Sequence, residues 1–439
     1  MSKEIDFSKF KEAVRGAKEA THVGKVTRIV GLVIEGEGPD VPLGSVCRIF
    51  PRDGSKPIEA EVVGFREDRV LMMPLSAPGG LSPNCRIEAK QSRASIKVDD
   101  SILGRVLDGL GNPIDNKGRL TCENEMPLYA EPINPLQRKR IKEPIDLGVK
   151  AVNGLLTAGR GQRIGIIAGT GVGKSVLLGQ MAHFTDADVT VIGFVGERGR
   201  EVREFIEKNL GEEGMKKTVI VTATSDNTPL VRLRAAYTAT AIAEYFREEG
   251  KDVLLMLDSL TRFSMAQREI GLSIGEPPAT KGYPPSVFAL LPRLLERAGT
   301  KGDEQGSITG IYTVLVEGDD LAEPISDASR AILDGHIVLS RSLASRGHFP
   351  AVDVLGSISR VMVDVVQPEH MGAAMKLRKL VAVYKDAEEL INIGAYVKGS
   401  NPEIDNAINK MGKINLFLQQ GMHEKSTLQE SITGLMGIV

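Results

Sequence analysis

RIGIIAGTGVGKSVLLGQMA, Arg163 to Ala182, passes from a short apolar run through a glycine-rich turn into a helical pattern. The apolar run reads as a strand and SVLLGQMA as a helix. Between them, glycines at 169, 171 and 173 let the backbone curl so that its N–H groups point inward at a phosphate chain. The helix start adds the positive end of its dipole. AGTGVGKS differs from the usual GxxxxGK[ST] pattern only in Ala168 at its first position, a small residue at the strand end. In that strand–loop–helix setting Lys174 is placed to reach β- and γ-phosphates, and the Ser175 hydroxyl to ligate Mg²⁺. Gly169, Thr170, Gly171, Val172, Gly173 and Val176 complete the expected nucleotide-binding stretch.

Around this loop, from about residue 96 to 370, strand-like and helix-like segments alternate. VTVIGFVG, KTVIVTAT, DVLLMLDS, ITGIYTVLVEG and GHIVLS are apolar and β-prone, as strands covered on both faces should be. REVREFIEKNL and VRLRAAYTATAIAEYFREEG lie between them as helices, so the expectation is a mostly parallel α/β sheet. A phosphate loop needs a carboxylate for the magnesium shell at the end of a neighbouring strand, and Asp258 ends DVLLMLD. VTVIGFVGERGREV delivers Glu197 to the same edge, where ligands sit in open sheets. Glu197 is the candidate to orient a water in line with the γ-phosphorus and take its proton. The alternative is a solvated helix start, since acids and bases alternate here. Arg198 either neutralises charge near the γ-phosphate or pairs with an acid such as Glu201. Negative charge in the transition state also calls for an arginine from another subunit. Arg341, Arg346 and Arg360 all qualify on spacing.

The rest of the chain reads as three further parts. Residues 1–22 place Phe7, Phe10, Val14 and Ala17 at helical spacing, an amphipathic helix that lies on its own domain or binds a partner. Residues 23–95 carry short alternating runs separated by EGPD, PRDG and APGG, as in a small β-barrel. Residues 371–439 turn helical, with stripes at Leu377, Leu380, Val381, Tyr384 and Ile391 and at Ile404, Ala407, Ile408 and Met411. Lys plus Arg number 55 against 57 Asp plus Glu, so nothing pulls the 439-residue chain toward polyanions. The three cysteines, 47, 85 and 122, form no CxxC and suit a reducing compartment. With no secretory apolar segment and no run of membrane-spanning length, the expectation is a cytoplasmic protein that docks at most on a membrane surface.

VGERGREV, DSLTRFSMAQREIGLSIGEPPATKGYPPSVF and HFPAVDVLGSISRV resemble the ATPases of type III protein export, relatives of the catalytic subunit of rotary ATP synthases. The likeness covers the chain from about Val23 and is greatest to the flagellum-specific members. It implies an N-terminal β-barrel, a central RecA-like ATPase domain and a helical C-terminal domain, assembled as a homohexamer using ATP and Mg²⁺. By motif position Glu197 falls on the family's catalytic glutamate and Arg198 on the arginine beside it. Arg360 falls on the arginine finger lent to the neighbouring site, and Phe349 on the aromatic residue against adenine, where many relatives carry Tyr. The Gly275–Ser286 loop matches one facing the ring channel and a coiled-coil stalk protein. The resemblance further implies a regulatory, stator-like partner at the N-terminal helix, and contacts with export-gate membrane proteins, chaperones and cargo.

Three other functions fit part of this pattern. The ATPase of a virulence-type secretion system shares every motif above. A non-catalytic nucleotide-binding ring subunit would keep the phosphate loop but lack the acid that Glu197 supplies. An RNA-translocating hexamer would need stacking platforms, and residues 23–95 offer only Phe50 and Phe65.

Overall fold

The fold comes from a computed structural model, which describes residues 23–91, 93–302 and 306–439. The amphipathic stretch expected over residues 1–22 lies outside them. The chain divides into two compact units, one of residues up to Ala94 together with Ser273–Gly275, the other of Ser95–Leu272 and Glu276–Val439.

Six strands close the first unit into a barrel: β1 (Val23–Val30), β2 (Val33–Glu37), β3 (Val46–Phe50), β4 (Ile58–Arg66), β5 (Arg69–Pro74) and β6 (Arg86–Gln91). They run in the order β1-β2-β5-β4-β3-β6, and pairing of β1 with β6 closes the ring and removes its free edges. Every second residue points inward, so Val26, Ile34, Cys47, Ile49, Met72, Cys85 and Ile87 make one buried cluster. Two of the three cysteines are thus packing residues of this core.

The second unit is built on a sheet whose strands are β7 (Val106–Asp108), β8 (Arg163–Ala168), β9 (Val189–Glu197), β10 (Thr218–Thr224), β11 (Asp252–Asp258), β12 (Ser307–Leu315), β13 (Gly335–Leu339) and β14 (Val352–Ser359). The order is β14-β13-β8-β12-β11-β9-β10-β7, with the two-residue strand Gly299–Thr300 paired to β12. All of the main path is parallel except β14, which runs antiparallel to β13. Helices cover these strands, and all nine residues of β9 are buried. Parallel register brings the C-terminal ends of β8, β9, β11 and β12 to one edge: Ala168 lies opposite Leu315, and Phe194 opposite Asp258.

Nearest that edge are α1 (Lys174–Phe184), the helix after β9 (Gly199–Lys216, with one π turn at Phe205–Leu210) called α2, α3 (Pro229–Glu248) and α4 (Leu260–Ile274). The chain ends in α5 (Pro368–Asn392), α6 (Pro402–Leu418) and α7 (Leu428–Met436). Asn401 caps α6 by accepting from the Glu403 N–H at 2.9 Å, with Pro402 in the first turn. Leu377, Ile414, Phe417 and Leu435 from these helices share a core with Ile164, Leu177 and Met181. Removing each such side chain from water contributes about 1.5–3 kcal/mol, an upper figure because the unfolded chain is itself partly compact.

A buried ion pair ties α3 to the chain beyond it. Arg297 Nε donates to Glu244 Oε1 at 2.8 Å, Nη1 donates to the Leu128 carbonyl, and both side chains are nearly inaccessible. Arg297→Met leaves the Glu244 carboxylate buried without its counter-charge and should cost about 3–5 kcal/mol in urea unfolding. Adding Glu244→Leu should recover part of that loss. A single-variant cost under about 1 kcal/mol would mean that water reaches the pair.

Candidate active site

The phosphate loop is held between a buried strand and a helix. β8 ends at Ala168, the chain crosses Gly169–Gly173, and α1 begins at Lys174. Gly173 sits at φ +89°, a left-handed conformation that favours glycine, and a Cβ there would meet the Phe349 ring at 3.3 Å. The Phe349 ring thus packs beside the start of α1 and is 43% exposed. Val172 is buried, while Thr170, Ser175 and Val176 face solvent at the loop mouth.

Three charged groups converge behind the loop. Lys174 Nζ donates to Asp258 Oδ1 and lies 3.7 Å from Glu197 Oε1. Asp258 is 3% exposed and Glu197 9%. Burial, and then the neighbouring Asp258 carboxylate, push the Glu197 pKa up to about 7, with Lys174 pulling the other way. Glu197 Oε1 is buried and has no hydrogen-bond partner. A buried acceptor without a donor is a costly arrangement, and such groups gather at functional sites.

The donor set suits magnesium. Asp258 and Ser175 offer hard oxygen ligands from two elements that meet at this edge, and the Asp258 carboxylate already has a cation against it in Lys174. A nucleotide would draw Lys174 toward its phosphates and leave Asp258 facing the metal's shell.

Arg262 completes the cluster and was not singled out in the sequence. It lies on the first turn of α4, four residues beyond Asp258, and its side chain passes over Gly196. A Cβ at Gly196, which has φ +71°, would come within 3.2 Å of Arg262 Cβ, so glycine here serves both the backbone and the close approach. Arg262 Nε is buried without a partner. The signal was a helix starting straight after the strand-end acid, which folds its third residue back over the sheet edge.

The other arginines stand elsewhere. Arg198 is exposed and donates to Glu201 at 3.4 Å. Arg341 lies at the loop edge with Nε donating to Asp319 Oδ2 at 3.2 Å, and Arg346 pairs with Glu388 at 2.8 Å. Arg360 follows β14, whose last residue Ser359 pairs with Gly335 at the start of β13. Its N–H donates to the Asp334 carbonyl at 3.0 Å. Because β13 runs parallel to β8, Arg360 sits at the sheet edge opposite the phosphate loop of its own chain, roughly 15 Å away along the strands.

A phosphate loop on a mostly parallel sheet, with a strand-end aspartate and a buried glutamate beside its lysine, defines an ATPase of the RecA-like class. Residues 148–359 match the profile described as "ATP synthase alpha/beta family, nucleotide-binding domain", and residues 366–437 that of the "T3SS EscN ATPase C-terminal domain". The flagellum-specific ATP synthase of Pseudomonas aeruginosa is 51% identical over 98% of this chain and 96% of its own length. Among solved structures, the assembled ATPase EscN of the enteropathogenic E. coli type III secretion system superposes with TM-score 0.90 at 46% identity, covering 94% of this chain and 99% of EscN. EscN in complex with its central stalk EscO gives TM-score 0.87 at 45% identity with the same coverage. The chain belongs to the ATP synthase alpha/beta family, in its branch of flagellum-specific and type III secretion ATPases.

Proposed function

We propose that this ATPase works as a Mg²⁺-dependent homohexamer at the cytoplasmic face of a flagellar export apparatus, hydrolysing ATP where subunits meet to promote protein export. The observation that carries the reading is the convergence of Lys174, Asp258 and a buried Glu197, whose Oε1 has no hydrogen bond, behind the phosphate loop, together with Arg360 on the far edge of the same sheet.

In this reading the N–H groups of Gly169 to Ser175 cradle the phosphates, Lys174 shifts from Asp258 to the β- and γ-oxygens, and adenine lies against Phe349 and Val176. Ser175 and Asp258 would hold Mg²⁺, which would supply charge neutralisation for the nucleotide's phosphates. Glu197 positions water and takes its proton. Arg262 passes over Gly196 beside Glu197, and its unpartnered Nε is a further donor for the γ-phosphate. Arg360 serves the next subunit, and Arg198, exposed and paired with Glu201, takes the second of the two roles open to it.

The likeness to EscN bound to its stalk supports a central stalk partner for this chain, with the Gly275–Ser286 loop toward it. A regulatory protein on the N-terminal segment, export-gate proteins, chaperones and cargo, and peripheral membrane contact follow from the flagellar reading. Among the described residues no helix is long and apolar enough to cross a membrane. The EscN likeness also favours a second reading, the ATPase of a virulence-type secretion system, which genomic neighbours would separate from the first.

The test is ATPase rate against protein concentration, with mass measured in the same samples. Specific activity should rise at least tenfold as monomers give way to hexamers, because each site borrows a group from its neighbour. Full activity in monomers would overturn the reading.

A further inference from the structure

Thr313 stands out within β12. Its neighbours SITGIYTVL form an apolar strand between the phosphate-loop strand β8 and the strand β11 that ends in Asp258. Thr313 is 0% exposed, so its hydroxyl has no access to water, and valine would fill the same volume without a polar group to satisfy. The hydroxyl has one short partner, donating to Asp258 Oδ1 at 2.6 Å, and a longer approach to the Leu257 carbonyl at 3.4 Å.

We infer that Thr313 is the positioning residue for Asp258: it holds the carboxylate in place when nucleotide draws Lys174 away. Without nucleotide, Asp258 Oδ1 accepts from both Lys174 and Thr313. Once the lysine turns to the phosphates, the Thr313 hydroxyl is the remaining donor among those seen on that oxygen. It fixes the carboxylate rotamer and leaves Oδ2 for the metal's shell. The strand end that carries it is itself pinned: Leu315 N–H donates to Thr261 Oγ1 at 2.9 Å, and that hydroxyl lies 3.2 Å from the Leu315 carbonyl. Thr261 is on the first turn of α4, so Thr313, Asp258 and Arg262 share one rigid frame. Groups that orient a metal-shell carboxylate in this way typically change metal affinity or activity by about 10–100-fold when removed.

This inference rests on the nucleotide and Mg²⁺ reading above, and the experiment separates the two. Binding of a fluorescent ADP analogue to the full chain is measured in EDTA and across a Mg²⁺ titration, for the parent protein, Thr313→Val and Thr313→Ser. In EDTA all three should bind within about twofold of one another. Thr313→Val should need at least about tenfold more Mg²⁺ for half of the metal-dependent gain, while Thr313→Ser, which keeps the hydroxyl, stays near the parent. If Thr313→Val shows the parent's Mg²⁺ dependence, or if Ser loses as much as Val, the assignment of Thr313 is wrong. Weakened binding in EDTA would also overturn it, since that marks general damage to the site. A parent protein whose nucleotide binding ignores Mg²⁺ would instead remove the functional reading beneath it.

Discussion

Glu197→Gln should bind nucleotide within a few-fold of the parent protein and lose about 10²–10⁴-fold in steady-state ATP hydrolysis. The amide has nearly the shape of the carboxylate but cannot accept a proton from water. Its position suits the loss to chemistry and not to binding. Glu197 ends β9, every residue of which is buried, so the side chain is aimed by a rigid strand and not by a loop. Burial and Asp258 bring its pKa to about 7, where a base is deprotonated often enough to act and basic enough to take a proton. Replacing it also relieves the repulsion between two carboxylates facing Lys174, so the fold should not suffer. Rapid mixing with labelled ATP, followed by steady-state release of phosphate, separates binding from turnover. A variant that keeps more than about a tenth of parent turnover would take Glu197 out of the reaction.

The parts of this site that were legible in the sequence are those carried by a single element. RIGIIAGTGVGKS encodes strand, turn and helix in one stretch, and an acid ending an apolar strand reads directly as a group at the sheet edge, which is how Asp258 and Glu197 were found. The barrel was legible from its alternation, although its closure depends on pairing β1 with β6, more than fifty residues apart. Contacts between elements were not legible. Arg262 reaches the site by passing over Gly196 of another strand, and nothing local to DSLTRF fixes that approach. Thr313 reads as an ordinary β-prone residue until β12 is seen to lie beside β11, which places its hydroxyl on Asp258. The arginines divide in the same way. Spacing offered Arg341, Arg346 and Arg360 on equal terms, and the antiparallel turn-back of β14 is what sends Arg360 to the edge away from its own phosphates.

That separation gives the second large effect. If Arg360 serves the neighbouring site as proposed, Arg360→Ala should reduce hydrolysis by about 10³-fold while leaving nucleotide affinity and hexamer formation nearly unchanged, because the guanidinium would meet charge that develops only as the γ-phosphate is transferred. The Arg360 side chain approaches the Leu333 carbonyl at 3.5 Å, a weak hydrogen bond, so its removal should break little that holds the subunit together. Within one chain it cannot substitute for Lys174 or Arg262, since a full strand length intervenes. Two inactive variants should therefore restore each other. A site formed by the phosphate loop of an Arg360→Ala subunit and the far edge of a Glu197→Gln subunit has both groups intact. At equal, random mixing about one interface in four is of that kind, so activity should approach a quarter of the parent value if sites act independently. Stronger cooperation round the ring would lower that figure but not to zero. Mixed hexamers confirmed by mass that show no recovery at any ratio would mean that Arg360 serves no neighbouring site, and the shared-site mechanism would fall with it.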